Sequence, residues 1–219
     1  MNVDGKITIL CYGDSNTFGY RPPKGDRYPK AQRWTTILAE KLGDDYEVIP
    51  EGVTGRTTAY DRTGRDWLNG LDSIAPTVAA HLTLDYIVIM LGTNDCIMEL
   101  DLGAEDIAEG MRKLILKARE VTEMYQEEQP KFVIVAPPAI GPDIKGTTFE
   151  FALNEKSVTN SRAIVPLYRS LAEGMNGIFV DAAECVETSH YDTEHLTVKG
   201  HAQLAELMYQ AIRGDREEK

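Results

Sequence analysis

Three residue types that together make a hydrolytic relay lie far apart in this chain: Ser15 near the start, and Asp192 and His195 near the finish. A serine hydroxyl can attack an acyl carbon, an imidazole can take its proton, and a carboxylate can orient the imidazole. Ser15 stands in Gly13-Asp14-Ser15, directly after the apolar run Ile7–Tyr12. Read locally, such a turn equally suits Ser15 as a helix cap. Gly13 would let the chain turn sharply and put Ser15 at the tip, its N–H at a helix N-terminus. That position suits an oxygen nucleophile and an oxyanion donor. Thr17 occupies the place of the second glycine in G-x-S-x-G, which argues against the usual α/β-hydrolase elbow.

There are four histidines. His81 falls at the end of an expected helix and suits its C-terminal dipole; His201 falls inside the last helix, as a structural or exposed residue. His190, in a loop, is a weaker alternative base. His195 is preferred because Asp192, three residues earlier, can reach its Nδ1–H within a turn and fix the tautomer. Asn94, after Ile87–Leu91, can donate its amide to a developing oxyanion, though a turn-forming Asn fits equally well. Gly52 can present its backbone N–H at close range, or serve simply as a turn glycine. Asp14 and Asp95 stand beside Ser15 and Asn94 as supporting residues.

The elements that must position these groups are legible as apolar runs. Strands are expected over Lys6–Tyr12, Tyr46–Pro50, Asp85–Leu91, Lys131–Ala136 and Gly177–Asp181. Most are continuous runs rather than alternations, as in a parallel sheet buried on both faces. Helices are expected around Trp34–Leu42, ending at Gly43, over Leu71–Leu82 with Pro76 inside, and along the stripe Ile107–Val121. Two more cover Glu150–Gly174, with Pro166 as a kink or break, and Thr197–Ile212. This alternation predicts a three-layer α/β/α domain with a parallel sheet of about five strands. No repeat or linker divides residues 1–219, so one domain is the economical reading. Irregular stretches follow the strands at Tyr20–Lys30, Gly52–Asp66 and Pro137–Thr148, where substrate contacts are expected.

Composition narrows the classes. A hydrophobic share of 42% suffices for a full core, and no run approaches a membrane span. The stretch Met1–Lys6 lacks the features of a signal peptide. Cys11, Cys96 and Cys185 have no metal-like spacing and read as free thiols, which favours the cytoplasm. A net charge of -12 disfavours nucleic acid as a partner. Gly214–Lys219 reads as a frayed, solvated end.

Four blocks, taken in order, resemble those of the SGNH (GDSL-type) esterase/lipase family: Gly13-Asp14-Ser15-Asn16-Thr17-Phe18-Gly19, Gly52 within Glu51–Thr58, Gly92-Thr93-Asn94-Asp95, and Asp192-x-x-His195. Arg33-Trp34-Thr35, Arg56-Thr57-Thr58 and Ile89–Asp95 are similar to the bacterial arylesterase/acyltransferase branch. Position 16 is Asn where the family name carries Leu, a frequent variant read here as remote from the chemistry. The resemblance implies a flavodoxin-like sheet and a Ser15-His195-Asp192 hydrolase. It implies an oxyanion held by the N–H groups of Ser15 and Gly52 with the Asn94 side chain, no cofactor and no metal. It implies a small-molecule ester substrate, with a compact homo-oligomer expected. With no lid insertion evident, the expectation is a polar, open mouth for short-chain acyl esters, which Tyr20, Arg21, Tyr28, Arg56, Tyr60 and Arg62 would line; singly, each reads as an ordinary loop residue. Two other enzyme uses compete, acyl transfer and carbohydrate deacetylation. A more remote one is a flavodoxin-like binding module, although neither G-x-G-x-x-G nor a P-loop is present.

Overall fold

The computed structural model describes residues 5–217. Most of the N-terminal stretch read for a leader, Met1–Asp4, and the last two residues of the expected frayed end lie outside them. The apolar runs form one parallel sheet of β1 (Ile7–Gly13), β4 (Tyr46–Gly52), β5 (Tyr86–Met90), β6 (Lys131–Ala136) and β7 (Ile178–Asp181), in the order β4-β1-β5-β6-β7. A small antiparallel pair, β2 (Tyr20–Arg21) and β3 (Asp26–Arg27), occupies a stretch read as irregular.

Alternate side chains of each strand feed two cores. Leu10, Tyr12, Ile87, Ile89 and Ile134 pack on one face beneath α3 (Gly70–Ala80), α4 (Ala104–Tyr125) and α5 (Glu155–Gly174). Ile9, Cys11, Val88, Val133 and Val135 pack on the other, beneath α2 (Trp34–Leu42) and α6 (Val198–Glu217). Both faces are covered, which is why the runs are continuously apolar. The result is the three-layer α/β/α fold that the alternation predicts.

Several boundaries differ from the sequence reading for physical reasons. β4 continues through Pro50 because it is an edge strand, where the missing N–H need face no neighbour. α5 starts at Glu155, not Glu150, because Asn154 caps it: its side chain accepts from Ser157 N at 3.0 Å, and Ser157 Oγ accepts from Asn154 N at 3.1 Å. Neither Pro76 nor Pro166 ends its helix. Gly214–Glu217 belong to α6, so that part of the expected frayed end is helical.

In the sheet order, β4 and β5 flank β1, and the connections leave β1 and β5 toward opposite faces. This is the switch point at which α/β sheets open a crevice. Register brings Gly13 level with Gly52 and Met90, so the three strands deliver their functional loops to one edge. Among the described residues, no helix is long and apolar enough to cross a membrane.

Candidate active site

Ser15 is the first residue of α1 (Ser15–Phe18), a single helical turn after β1. It is not the cap. Asp14 is, its carboxylate accepting from Asn16 N at 2.9 Å. The flanking glycines make room for this turn. A Cβ on Gly13 would lie 2.2 Å from Thr17 Oγ1, and one on Gly52 would lie 2.2 Å from Phe18 N. Gly52 is therefore required by the backbone of α1 pressing against the end of β4.

The fold brings the distant ends together. Ser15 Oγ lies 2.8 Å from His195 Nε2, and His195 Nδ1 lies 3.0 Å from Asp192 Oδ2. Asp192 Oδ1 also accepts from His195 N at 3.1 Å, so one carboxylate holds both the ring and its backbone. All three side chains are buried. Tyr20 packs on the imidazole at 4.2 Å between ring centroids and Phe149 at 5.7 Å, which fixes its plane from outside. Burial acts against the imidazolium. The hydrogen bond to Asp192 and the charges of Glu194, Asp192 and Asp14 outweigh it and raise the pKa of His195 above its ordinary value.

Asn94 begins a 3₁₀ turn, Asn94–Cys96, after β5, and lines the same cleft as Ser15 and His195. Its Nδ2 is 3.5 Å from Asp14 Oδ2, which leaves the amide's second N–H for another acceptor. Asp95 is buried and accepts from Thr58 N at 3.0 and 3.1 Å and from Thr58 Oγ1 at 2.6 Å. It thereby ties the loop after Gly52 to the turn that carries Asn94. Burial pushes the Asp95 carboxyl up to about 7 and Asp14 up to about 6, against the hydrogen bonds each accepts.

The other histidines stand apart. His190 is exposed and stacks on Tyr191 at 4.0 Å. His81 Nε2 meets Glu51 Oε1 at 2.9 Å. His201 is buried; its Nδ1 accepts from Trp34 N at 3.3 Å, which caps α2 and requires the neutral ring. Burial lowers its pKa to about 4.

Asn16 acts on the backbone around His195 rather than on the reacting atoms. Its Nδ2 donates to Glu194 O at 3.1 Å and its Oδ1 accepts from Leu196 N at 3.0 Å. It thus grips the backbone on both sides of His195. A leucine has neither group.

The cleft in front of Ser15 holds about 380 Å³. Of the six expected mouth residues, only Tyr20 and Arg62 line it. Arg56 is buried under Tyr12 at 3.9 Å and donates to Gly13 O and Glu51 O at 2.9 and 2.5 Å, clamping the ends of β1 and β4. Arg21 pairs with Asp26 across the small hairpin, Tyr28 packs edge-on against His201, and Tyr60 donates to Asp106 O. The mouth is less polar than expected. Phe149 and, from the start of the expected helix Glu150–Gly174, Phe151 and Leu153 line the cleft with Ile97 and Met98 as its apolar side. Arg62, joined to Glu99 at 3.2 Å, and Glu194 supply the polar side. A larger hollow of about 900 Å³ at the opposite end of the sheet has no serine or histidine in its lining. Among the described residues, no group of three or more His, Cys, Asp or Glu could hold a metal ion. Cys11 and Cys96 are buried and free, and Cys185 is exposed and free.

A model of the GDSL-like Lipase/Acylhydrolase family matches residues 11–203. The structure of Est24, a carbohydrate acetylesterase from Sinorhizobium meliloti, is 32% identical, with a TM-score of 0.88 over 95% of this chain and 99% of that one. The native M. smegmatis aryl esterase gives the same figures: 32% identity and a TM-score of 0.88 over 95% and 99% of the two chains. A member of the lipolytic protein G-D-S-L family from Veillonella parvula, at 16% identity and a TM-score of 0.65 over 94% and 98%, shares the fold. Comparison with curated protein sequences gave no match. A family match over most of the chain, joined to a sheet that ends in a serine–histidine contact, establishes that this chain belongs to the GDSL-like lipase/acylhydrolase (SGNH) family and is a carboxylic ester hydrolase.

Proposed function

We propose that Ser15, His195 and Asp192 are the nucleophile, base and orienting acid of a serine esterase acting on short-chain acyl esters. The observation that carries this is the continuous relay Ser15 Oγ–His195 Nε2 (2.8 Å) and His195 Nδ1–Asp192 Oδ2 (3.0 Å). In the first half-reaction Ser15 Oγ attacks the ester carbonyl while His195 Nε2 takes the hydroxyl proton. The tetrahedral oxyanion is met by the N–H groups of Ser15 and Gly52 and by the Asn94 amide. Collapse expels the alkoxide, which takes the proton from His195 and leaves an acyl-serine. Water, deprotonated in turn by His195, then attacks this ester. The acid departs, and the proton returns to Ser15.

An alcohol in place of water gives acyl transfer by the same steps, so we include that activity. A cleft of only about 380 Å³, with Leu153 and Ile97 in its lining, supports short acyl groups over long chains. Its polar side supports a second reading, a carbohydrate O-acetyl esterase. Free thiols support the cytoplasm, and exposed Trp67 and Phe151, at 70% and 74%, support a homo-oligomer. The test is a panel of p-nitrophenyl esters from acetate to decanoate on wild type and Ser15→Ala. The expected result is turnover falling with chain length and abolished in Ser15→Ala. Undiminished turnover in that variant would overturn the assignment.

A further inference from the structure

Glu194 belongs to neither the relay nor the oxyanion site, yet it lines the cleft beside both. Its side chain is only 12% exposed. Its two hydrogen bonds are backbone ones, its N–H to Asp192 Oδ1 and its carbonyl from Asn16 Nδ2. Among the described residues, the one basic group within 4 Å of its carboxylate is His195 Nδ1, at 3.7 Å, and that N–H is already committed to Asp192. This is beyond hydrogen-bond range.

The other carboxylates around the cleft differ. Asp14 accepts from Asn16 N, Asp95 from Thr58, Asp192 from His195, and Glu99 from Arg62 and Thr63 N. Glu194 is the one among these five, in the described residues, whose carboxylate accepts no hydrogen bond from the protein. Its remaining exposure and its place in the lining make the cleft the side from which a donor can reach this carboxylate.

We infer that Glu194 reads the substrate, accepting a hydrogen bond from a hydroxyl on the alcohol portion of the ester, next to the acylated oxygen. The inference rests on the serine-esterase reading above and deepens it. The alcohol side follows from the mechanism: His195 Nε2 protonates the leaving oxygen, so the alcohol portion lies on the His195 side of the cleft, which Glu194 also lines. A hydroxyl rather than an ammonium follows from charge. Above the Glu194 pKa of about 7, Arg62 and Arg65 in the lining balance Glu99 and Glu194, which suits a neutral substrate. Phe149 and Phe151 line the same cleft as these polar groups, so it matches an alcohol with both C–H and O–H surface. The substrate class is a partly acylated polyol.

The test is a matched pair, ethylene glycol monoacetate and its methyl ether, which differ only in the donor. The readout is the ratio of their kcat/KM values, corrected for the same ratio in hydroxide. Any change in the His195 base divides out, because both esters share it. Wild type is expected to prefer the monoacetate by about 10- to 100-fold, the range of a hydrogen bond to a charged group. Glu194→Leu should bring the ratio near one, and the near-isosteric Glu194→Gln should leave an intermediate value. A wild-type ratio near one, or an unchanged ratio in both variants, overturns the inference. So does wild type that hydrolyses p-nitrophenyl acetate through Ser15 but neither glycol ester; in these cases the esterase reading survives. Wild type inert toward all three esters overturns both.

Discussion

The serine turn and the histidine loop meet at 2.8 Å but are held in different ways. The serine turn is built mainly from its own neighbours. β1 runs inside the sheet, Asp14 caps α1, and Gly19 N closes the turn on Ser15 O at 2.8 Å. The histidine loop has local bonds too, such as Ser189 N to His195 O at 2.7 Å. It also leans on three distant segments: Gly141 N donates to Thr193 O, Thr148 N donates to Tyr191 O, and Asn16 grips positions 194 and 196. A nucleophile set by secondary structure thus faces a base set by long-range hydrogen bonds. Changes remote from the chemistry should therefore reach the rate through His195 before they reach Ser15.

The largest effect concerns which histidine is the base. His195→Ala should lower kcat by about 10⁶-fold, as in other triads, and exposed His190→Ala should leave it unchanged. The reverse result on p-nitrophenyl acetate would replace the relay. Asp192→Asn keeps the shape of the loop but offers the imidazole a donor where it needs an acceptor. A fall of about 10⁴ in kcat is expected. Loss of only a few-fold would mean that Glu194 or the backbone suffices to orient the ring.

Asn94→Ala tests the serine side. Removing the amide should cost about 10²–10³ in kcat with KM nearly unchanged, because the oxyanion exists only in the transition state. Asn16→Leu tests the contrast directly. It keeps the number and branching of the side-chain heavy atoms and removes both hydrogen bonds to the histidine loop. A drop of about 10- to 100-fold in kcat is expected if the loop depends on that grip, alongside about 1–3 kcal/mol of stability from the two backbone groups left unpaired. A variant with unaltered kcat would show that the histidine loop is as self-sufficient as the serine turn.

What could be read in advance followed from range. Apolar runs and helical stripes are local, so the strands and helices α2 and α4 were legible from Ile87–Leu91 or Trp34–Leu42 alone. The relay was legible because turns after strands collect at one sheet edge. The start of α5 lies five residues after the expected Glu150 because the side chains of Asn154 and Ser157 cap it there, while Phe151 and Leu153 line the cleft instead. Arg56 read as a mouth residue because a loop arginine is usually solvated, and nothing local says that Tyr12 and two carbonyls await it. Asn16 escaped because its partners lie 178 and 180 residues away. Glu194 escaped because its significance is a missing donor, which only coordinates reveal.

The smallest expected effect is on pH dependence, and it weighs both regions together. His195 must be neutral to take the serine proton, so kcat/KM rises with pH through its pKa. That pKa is raised, so the rising limb should lie above the ordinary imidazole value of about 6.5. After burial, which opposes the shift, and the Asp192 hydrogen bond, which drives it, the next contribution is the charge of Glu194 on the histidine loop; Asp14 on the serine turn contributes less. Glu194→Gln deletes a charge that favours the imidazolium, so the limb should move to lower pH. Glu194 itself is pushed up to about 7, chiefly by burial, so the wild-type limb reports two interacting groups and should be broader than that of the variant. Asp14→Asn should move the limb in the same direction by less. A larger movement from Asp14 than from Glu194 in pH–rate profiles would place the main electrostatic control of the base on the serine turn, and the division between the two regions would fail.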